Sequence, residues 1–154
     1  MLIKIFKASI LFINLFLGLL FSQATEWGKL DSLGGLYYNN GVLFTGEAIK
    51  YLNGGLQRSR FKDGKPEGLW QITNRIGDPM LLCSYSNGKP NGHWQQWYPN
   101  GEKEIDANFI EGKYNGSYKE WSEKGKKLIE ANYVNGLEDG EYKEWHLNGK
   151  KAVR

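Results

Sequence analysis

A pattern of aromatic residues and glycines returns every 24 positions along most of the chain. The clearest copy contains, in order, Tyr85, Gly88, Gly92, Trp94, Trp97 and Gly101. Equivalent copies begin at Phe109 and Tyr133, an earlier one begins at Phe61 with Thr73 in place of the second aromatic, and a worn one begins at Tyr38. Self-similarity at a fixed period indicates a stacked array of small units and argues against a globular enzyme core. We place the five repeats at approximately 38–60, 61–84, 85–108, 109–132 and 133–154.

Two segments precede the repeats. Residues 1–24 have the pattern of a secretory signal peptide, with Lys4 and Lys7 before an apolar run over 8–21 and small residues near Ala24. Cleavage near Ala24 would export the mature protein to the periplasm or the extracellular space. The apolar run is short for a membrane span, so an uncleaved anchor is the less favoured alternative. Residues 25–37 are expected to cap the first repeat.

The charge balance gives little reason to expect a polyanionic partner. Without Lys4 and Lys7, 18 basic and 17 acidic residues remain. Nucleic-acid binding needs a concentrated basic face, and anionic membranes attract polybasic segments. Neither a nucleic-acid partner nor a membrane partner is therefore predicted.

Each repeat carries two strand signals and two turn signals, so the chain is predicted to be all-β. Alternation along the returning strand, as in Ile105, Ala107 and Phe109, is typical of a half-buried antiparallel strand. Asn-Gly pairs favour tight primed hairpin turns, predicted at Asn53–Gly54, Asn100–Gly101 and Asn148–Gly149. The second turn is predicted as a loop over Gly88–Gly92. A small-residue slot also recurs, occupied by Ser59, Cys83, Ala107 and Ala131. We favour a structural role for the single cysteine over a reactive or intermolecular thiol.

The run Gly-x-aromatic-x-x-Trp-x-x-x-Gly resembles the bacterial variant of the MORN repeat. It is clearest at 92–101, 116–125 and 140–149. The resemblance covers roughly residues 38–154. It implies an elongated, single-layer antiparallel sheet of stacked β-hairpins, and it implies protein interaction or scaffolding far more than catalysis. Some bacterial relatives carry an antitoxin label, which implies a neutralising partner protein.

The residues offer no catalytic set, metal site or cofactor site. His93 and His146 occupy different repeat positions, and neither has a second histidine or cysteine at metal-ligand spacing. The glycine-rich turns lack the Gly-Lys-Ser/Thr sequence of a phosphate loop. We therefore predict a protein without enzymatic activity, metal or cofactor.

Two sets of side chains are candidates for binding. Glu120 and Glu144 occupy one repeat position, flanked by Lys119 and Lys143 and by tryptophans. Such a set is either an acidic pair or, as we favour, a solvated row of alternating charges. The second set is the column of Trp97, Trp121 and Trp145.

The tryptophan column has two interpretations. Trp94 and Trp97 are three positions apart, so a straight strand points them to opposite faces and leaves one column accessible for binding. A bend near the turn would instead return Trp97, Trp121 and Trp145 to the packed side.

The combined prediction is an exported protein-interaction or scaffolding module that binds a protein partner through one face of the sheet. The first alternative is binding of an envelope glycan through an exposed aromatic strip. The second is an antitoxin-like neutralising partner. The sequence does not fix the oligomeric state.

Overall fold

The computed structural model describes residues 24–152, which form β-strands joined by turns and loops, with no α-helix among them. One short 3₁₀ turn, Trp27–Lys29, follows the first strand. The strands are β1 (Thr25–Glu26), β2 (Asp31–Leu33), β3 (Leu36–Asn39), β4 (Val42–Leu43), β5 (Gly46–Leu52), β6 (Gly55–Lys62), β7 (Lys65–Asn74), β8 (Pro79–Ser86), β9 (Lys89–Pro90), β10 (Gly92–Trp97), β11 (Lys103–Ile110), β12 (Lys113–Trp121), β13 (Lys127–Val134), β14 (Leu137–Glu138) and β15 (Lys143–Glu144).

Consecutive strands pair with one another to form one long antiparallel sheet. Its order is β1-β5-β6-β7-β8-β10-β11-β12-β13-β14, with β9 beside β8 and β15 beside β13. Only the first contact, between β1 and β5, is parallel. The predicted all-β architecture of successive hairpins is confirmed, and a separate three-stranded sheet, β2-β3-β4, adds to it at the N-terminal end.

One face of the long sheet, here called the packed face, holds a row of small buried residues. Ala48, Ser59, Cys83, Ala107 and Ala131 are each at most 6% exposed. Aromatic rings lie beside this row and touch one another, as in Trp70 with Tyr85 and Trp94 with Phe109. The small side chains leave room for large rings from neighbouring repeats, so each repeat completes the core of the next.

The N-terminal segment covers the end of this aromatic column. The Trp27 ring stands edge-on to Tyr37, Phe61 and Trp70, with ring centres 5.4–5.7 Å apart. Phe44, Ala48 and Phe61 form the buried centre of the same cluster. Residues 25–37 thus contribute Trp27 and Tyr37 to this cluster, and β2 and part of β3 belong to the separate small sheet.

The tight primed turns occur at a different place from the one predicted. Both central residues have positive φ at Asp63–Gly64, Asn87–Gly88, Glu111–Gly112 and Asn135–Gly136, as a type I′ turn requires. The predicted loop over Gly88–Gly92 is therefore wrong, because Lys89–Pro90 already pairs with β8. Each of these glycines donates a backbone hydrogen bond to the preceding repeat, as from Gly88 N–H to Pro66 O at 2.9 Å.

The opposite turns have a longer loop, except at Asn53–Gly54, where Leu52 and Gly55 are paired. At Tyr98–Gly101 the Gly101 N–H donates to Tyr98 O, and the Tyr98 N–H donates to Glu102 O. Gly101 has positive φ, whereas Asn100 is not among the positive-φ residues. This is a three-residue hairpin loop ending in a glycine bulge. The primed turns predicted at Asn100 and Asn148 are therefore wrong, since the same pair of hydrogen bonds closes the loop at His146–Gly149. At Asn53–Gly54 the predicted two-residue hairpin does form, because Leu52 pairs with Gly55, but only Gly54 has positive φ, so the turn is not of the primed type I′.

Asn100 serves a different purpose in this loop. Its side chain accepts the Glu102 N–H and donates to Glu123 O in the next repeat, at 3.0 and 2.7 Å. Asparagine is favoured here because its side chain organises the loop and links it to the adjacent repeat.

Residues 1–23, which include most of the predicted signal peptide, lie outside the described residues. Among the residues that are described, no helix has the length and apolar character needed to span a membrane.

Candidate interaction face

A repeated irregularity in strand pairing occurs at the column of Trp97, Trp121 and Trp145. The register between β10 and β11 shifts after Gln96, so that Trp97 pairs with Lys103. The same shift follows Glu120 between β12 and β13, where Trp121 pairs with Lys127. Each shift is a β-bulge with one extra residue on the returning strand.

The bulge leaves Trp97 on the face opposite the aromatic core. Trp94 pairs with Ala107 on the packed face, and side chains alternate between the faces along β10. Trp97, three positions later, therefore points away. The bulge changes the phase of β11 alone, which brings Lys103 to the same side as Trp97. The bend that would return these tryptophans to the packed side does not occur.

Lysine ammonium groups lie over the tryptophan rings. The Lys103 Nζ is 6.0 Å from the ring centres of both Trp97 and Trp121. The Lys127 Nζ is 5.7 Å from the ring centre of Trp145. These distances fall at the outer limit of cation–π attraction, about 6 Å. We call these five residues the Lys–Trp strip, and its tryptophans are half-buried.

A ladder of alternating charges runs beside the strip on the same face. Asp106 pairs with Lys119, Lys119 with Glu130, and Glu130 with Lys143 across four strands. Opposite charges in directly facing positions attract each other, while like charges there would repel. Together, the strip and this charge ladder make up what we call the Lys–Trp face.

Asp106 is the most strongly held charge of the ladder. Its carboxylate oxygens lie 2.7 Å from His93 Nε2 and 2.6 Å from Lys103 Nζ. Partial burial raises its pKa, but hydrogen bonds from His93, Lys103 and Gln95 outweigh that effect and lower the pKa to about 2. Asp106 therefore also orients Lys103 against the tryptophans.

Glu130 repeats this arrangement one repeat later. It forms an ion pair with Lys127, the lysine that lies over Trp145. The hydrogen bond from Lys127 lowers the Glu130 pKa. In both repeats an acidic residue on the returning strand fixes the lysine three positions earlier.

The predicted site residues divide between the two faces. Trp97, Trp121, Trp145, Lys119 and Lys143 come together on the Lys–Trp face, as the pairings above place them. Glu120 and Glu144 lie on the packed face, where both are paired with Ile129. Strand alternation therefore places these two glutamates on the face opposite the tryptophans.

Glu120 has a partner on the packed face. It accepts a hydrogen bond from the Tyr118 hydroxyl at 2.8 Å. Burial and this hydrogen bond raise the Tyr118 pKa. Glu120 thus provides a hydrogen-bond acceptor for the Tyr118 hydroxyl at the border of the aromatic core, which is a structural role.

Sequence reasoning missed Lys103 and Lys127. The signal was present, because Lys103, Lys127 and Lys151 recur at the 24-residue period. Trp145 forms an isolated bridge with Lys151, which continues the pairing of tryptophan with lysine.

In the part of the chain that the structure describes, Cys83 and the possible metal ligands give no second candidate site. Cys83 is 2% exposed, and burial raises its thiol pKa to about 11. Across residues 24–152, no three His, Cys, Asp or Glu side chains are placed to hold a metal ion. The His93 ring is hydrogen-bonded to the Asp106 carboxylate, as described above.

No protein-family model matches this chain, and no curated protein matches it either.

Proposed function

We propose that this protein is a non-enzymatic interaction module that binds a protein partner through its Lys–Trp face. The observation that carries the proposal is the position of Trp97, Trp121 and Trp145. They stand in a row on the face that the aromatic core does not use. Large aromatic residues on such a face are costly to leave in water unless a partner covers them.

The chemistry of this face suits a protein surface. Tryptophan is among the residues most enriched in the energetically dominant positions of protein interfaces. The neighbouring ladder of Asp106, Lys119, Glu130 and Lys143 supplies the polar rim that such interfaces carry. Its alternating signs would fix the register of a partner with complementary charges.

A protein partner fits this face better than a glycan does. Stacking a sugar ring requires an open aromatic face. Lys103 and Lys127 lie over the tryptophan rings and are tied to Asp106 and Glu130. A glycan would have to displace these lysines, whereas a protein surface can contact the ring edges and the lysine side chains together.

Export and kinship with MORN-like repeats are part of the proposal. The pattern of residues 1–24 supports export, and the 24-residue repeat supports the kinship. Cell fractionation followed by mass spectrometry of the mature N-terminus tests export. Recovery of the intact chain in the cytoplasm would contradict it.

Affinity capture with variants tests the binding face. The full chain is used as bait on fractions of the source cells, alongside a Lys119→Glu/Lys143→Glu variant and a Lys124→Glu control. Lys124 is an exposed turn residue, so its reversal tests for a general charge effect. We expect one partner, recovered in near-equal amount with the native chain and the control, and lost with the double variant.

Two results would contradict the proposal. Equal recovery by all three baits would place the binding surface elsewhere. Retention of envelope material after the fractions have been treated with protease would favour a glycan ligand over a protein. Circular dichroism of each bait shows whether the sheet is intact, so that a folding defect is not mistaken for lost binding.

A further inference from the structure

Asn-Gly dipeptides are unusually frequent in this chain. They occur at 40–41, 53–54, 87–88, 91–92, 100–101, 115–116, 135–136 and 148–149. Such a pair can react without an enzyme. The glycine backbone nitrogen loses its proton and attacks the carbonyl carbon of the asparagine side chain. The bond between that carbon and the side-chain nitrogen then breaks, and the nitrogen leaves as ammonia. Water then opens the resulting succinimide at either carbonyl, which leaves aspartate or isoaspartate.

Three of these dipeptides adopt one backbone conformation and form a matched set. The asparagine φ is 52° at Asn40, 49° at Asn87 and 52° at Asn135. The following glycines have φ of 77°, 81° and 84°. All three asparagines are exposed. Intrinsic chemistry, turn type and access to water are therefore nearly constant among them.

The three turns differ in what holds the attacking nitrogen. The Gly88 N–H donates to Pro66 O at 2.9 Å, and the Gly136 N–H donates to Tyr114 O at 2.8 Å. Each bond joins the turn to the repeat before it. The turn at Asn40–Gly41 has no earlier repeat beside it, and within residues 24–152 no backbone acceptor is found for the Gly41 N–H.

A hydrogen bond at this nitrogen should slow the reaction. Its proton must be removed and the turn must open, because the αL backbone does not bring the nitrogen onto the side-chain carbonyl. Opening at Gly88 or Gly136 breaks a contact between repeats, whereas opening at Gly41 does not. Local opening is cheapest where the fewest such contacts are lost.

We propose that Asn40 is a site of spontaneous deamidation and isoaspartate formation in the folded protein, and that stacking of the repeats protects Asn87 and Asn135. The modified residue adds a negative charge, and in the isoaspartyl form one extra backbone carbon, to the hairpin of β3 and β4. That hairpin contacts the N-terminal segment, since Tyr37 of β3 lies against Trp27.

The experiment ages the full chain in mildly alkaline buffer made with heavy-oxygen water. Peptide mapping by mass spectrometry then follows each of the three sites, and the oxygen label separates conversion during ageing from conversion during digestion. A parallel sample is aged in denaturant. From the net worth of one backbone hydrogen bond, Asn40 should convert about three- to tenfold faster than Asn87 and Asn135 in the folded chain.

The denatured sample supplies the control for neighbouring residues. The proposal requires that the three rates become similar once the repeats no longer stack. It is overturned if Asn87 or Asn135 converts as fast as Asn40 in the folded protein. It is equally overturned if Asn40 keeps the same advantage in denaturant, since the preference would then come from local sequence.

Discussion

Trp97 lies opposite Lys103 in the sheet, one residue beyond the partner that an uninterrupted register would give it. Without the bulge, Trp97 would face Glu104, whose carboxylate would be repelled by the electron-rich ring face. With the bulge, an ammonium group reaches two tryptophans. A single extra residue per repeat thus decides the chemistry of a whole face.

Replacing Lys103 should weaken the fold by a measurable but small amount. Lys103→Met keeps the length of the side chain but removes its charge, so the contacts with Trp97, Trp121 and Asp106 lose their electrostatic part. Because the group is partly solvated, we expect a loss of about 1 kcal/mol in the free energy of unfolding. Urea denaturation followed by tryptophan fluorescence measures it.

The matched control for Lys103→Met is Lys124→Met. Lys124 is an exposed turn residue, so its change should move the free energy of unfolding by less than about 0.5 kcal/mol. Equal effects of the two substitutions would show that Lys103 gains nothing from its position in the Lys–Trp strip.

Asp106 should make the free energy of unfolding depend on pH in the acidic range. Its pKa is lowered from 3.8 to about 2 in the folded chain. The unfolded chain therefore takes up the proton first, so the stabilisation is complete above pH about 4 and is lost as pH falls towards about 2. With a discount for solvent screening, Asp106 should contribute about 1 kcal/mol to the free energy of unfolding.

Comparison with Asp106→Asn isolates this contribution. The difference in unfolding free energy between the native chain and the variant should shrink as pH falls through that window. A difference that stays constant from neutral pH to pH about 2 would mean that the Asp106 carboxylate is not stabilised by His93, Lys103 and Gln95.

Much of the fold could be predicted because the 24-residue repeat indicates both the strands and the row of small buried residues. The small-residue slot of Cys83, Ala107 and Ala131 was visible as a 24-residue period, and a slot that admits only small residues indicates close packing of rings above it. The separation of Glu120 from Trp121 follows from strand alternation alone.

The bulges and turn types could not be predicted in the same way. The extra residues of the two bulges are Glu104 and Leu128. One side chain is charged and the other is apolar, so the residue type does not mark the register shift. Asn-Gly occurs both in the primed turn at Asn87 and in the longer loop at Asn100. Which turn forms depends on how many residues remain between paired strands, which is a property of the whole sheet.

Filling the small-residue slot should destabilise the protein strongly. Ala107 is fully buried and pairs with Trp94 and Tyr118. Ala107→Leu would force these rings apart at a cost of about 1–3 kcal/mol. Ser117→Leu, the control on an exposed position of the neighbouring strand, should cost less than about 0.5 kcal/mol. Thermal unfolding of the two variants under identical conditions makes the comparison, and similar losses would contradict the packed-slot assignment.

Cys83 should resist alkylation until the chain unfolds. Its sulfur is buried, and burial raises the thiol pKa to about 11, so at neutral pH the reactive thiolate is both scarce and shielded. Iodoacetamide labelling followed by intact-mass measurement should show almost no adduct in the folded chain and complete reaction in denaturant. The control is Ser117→Cys in a Cys83→Ser background, which places the only thiol at an exposed position and should react without denaturant. If Cys83 of the folded chain is labelled as quickly as that exposed cysteine, the packed face is open to solvent and the column of small residues is not its core.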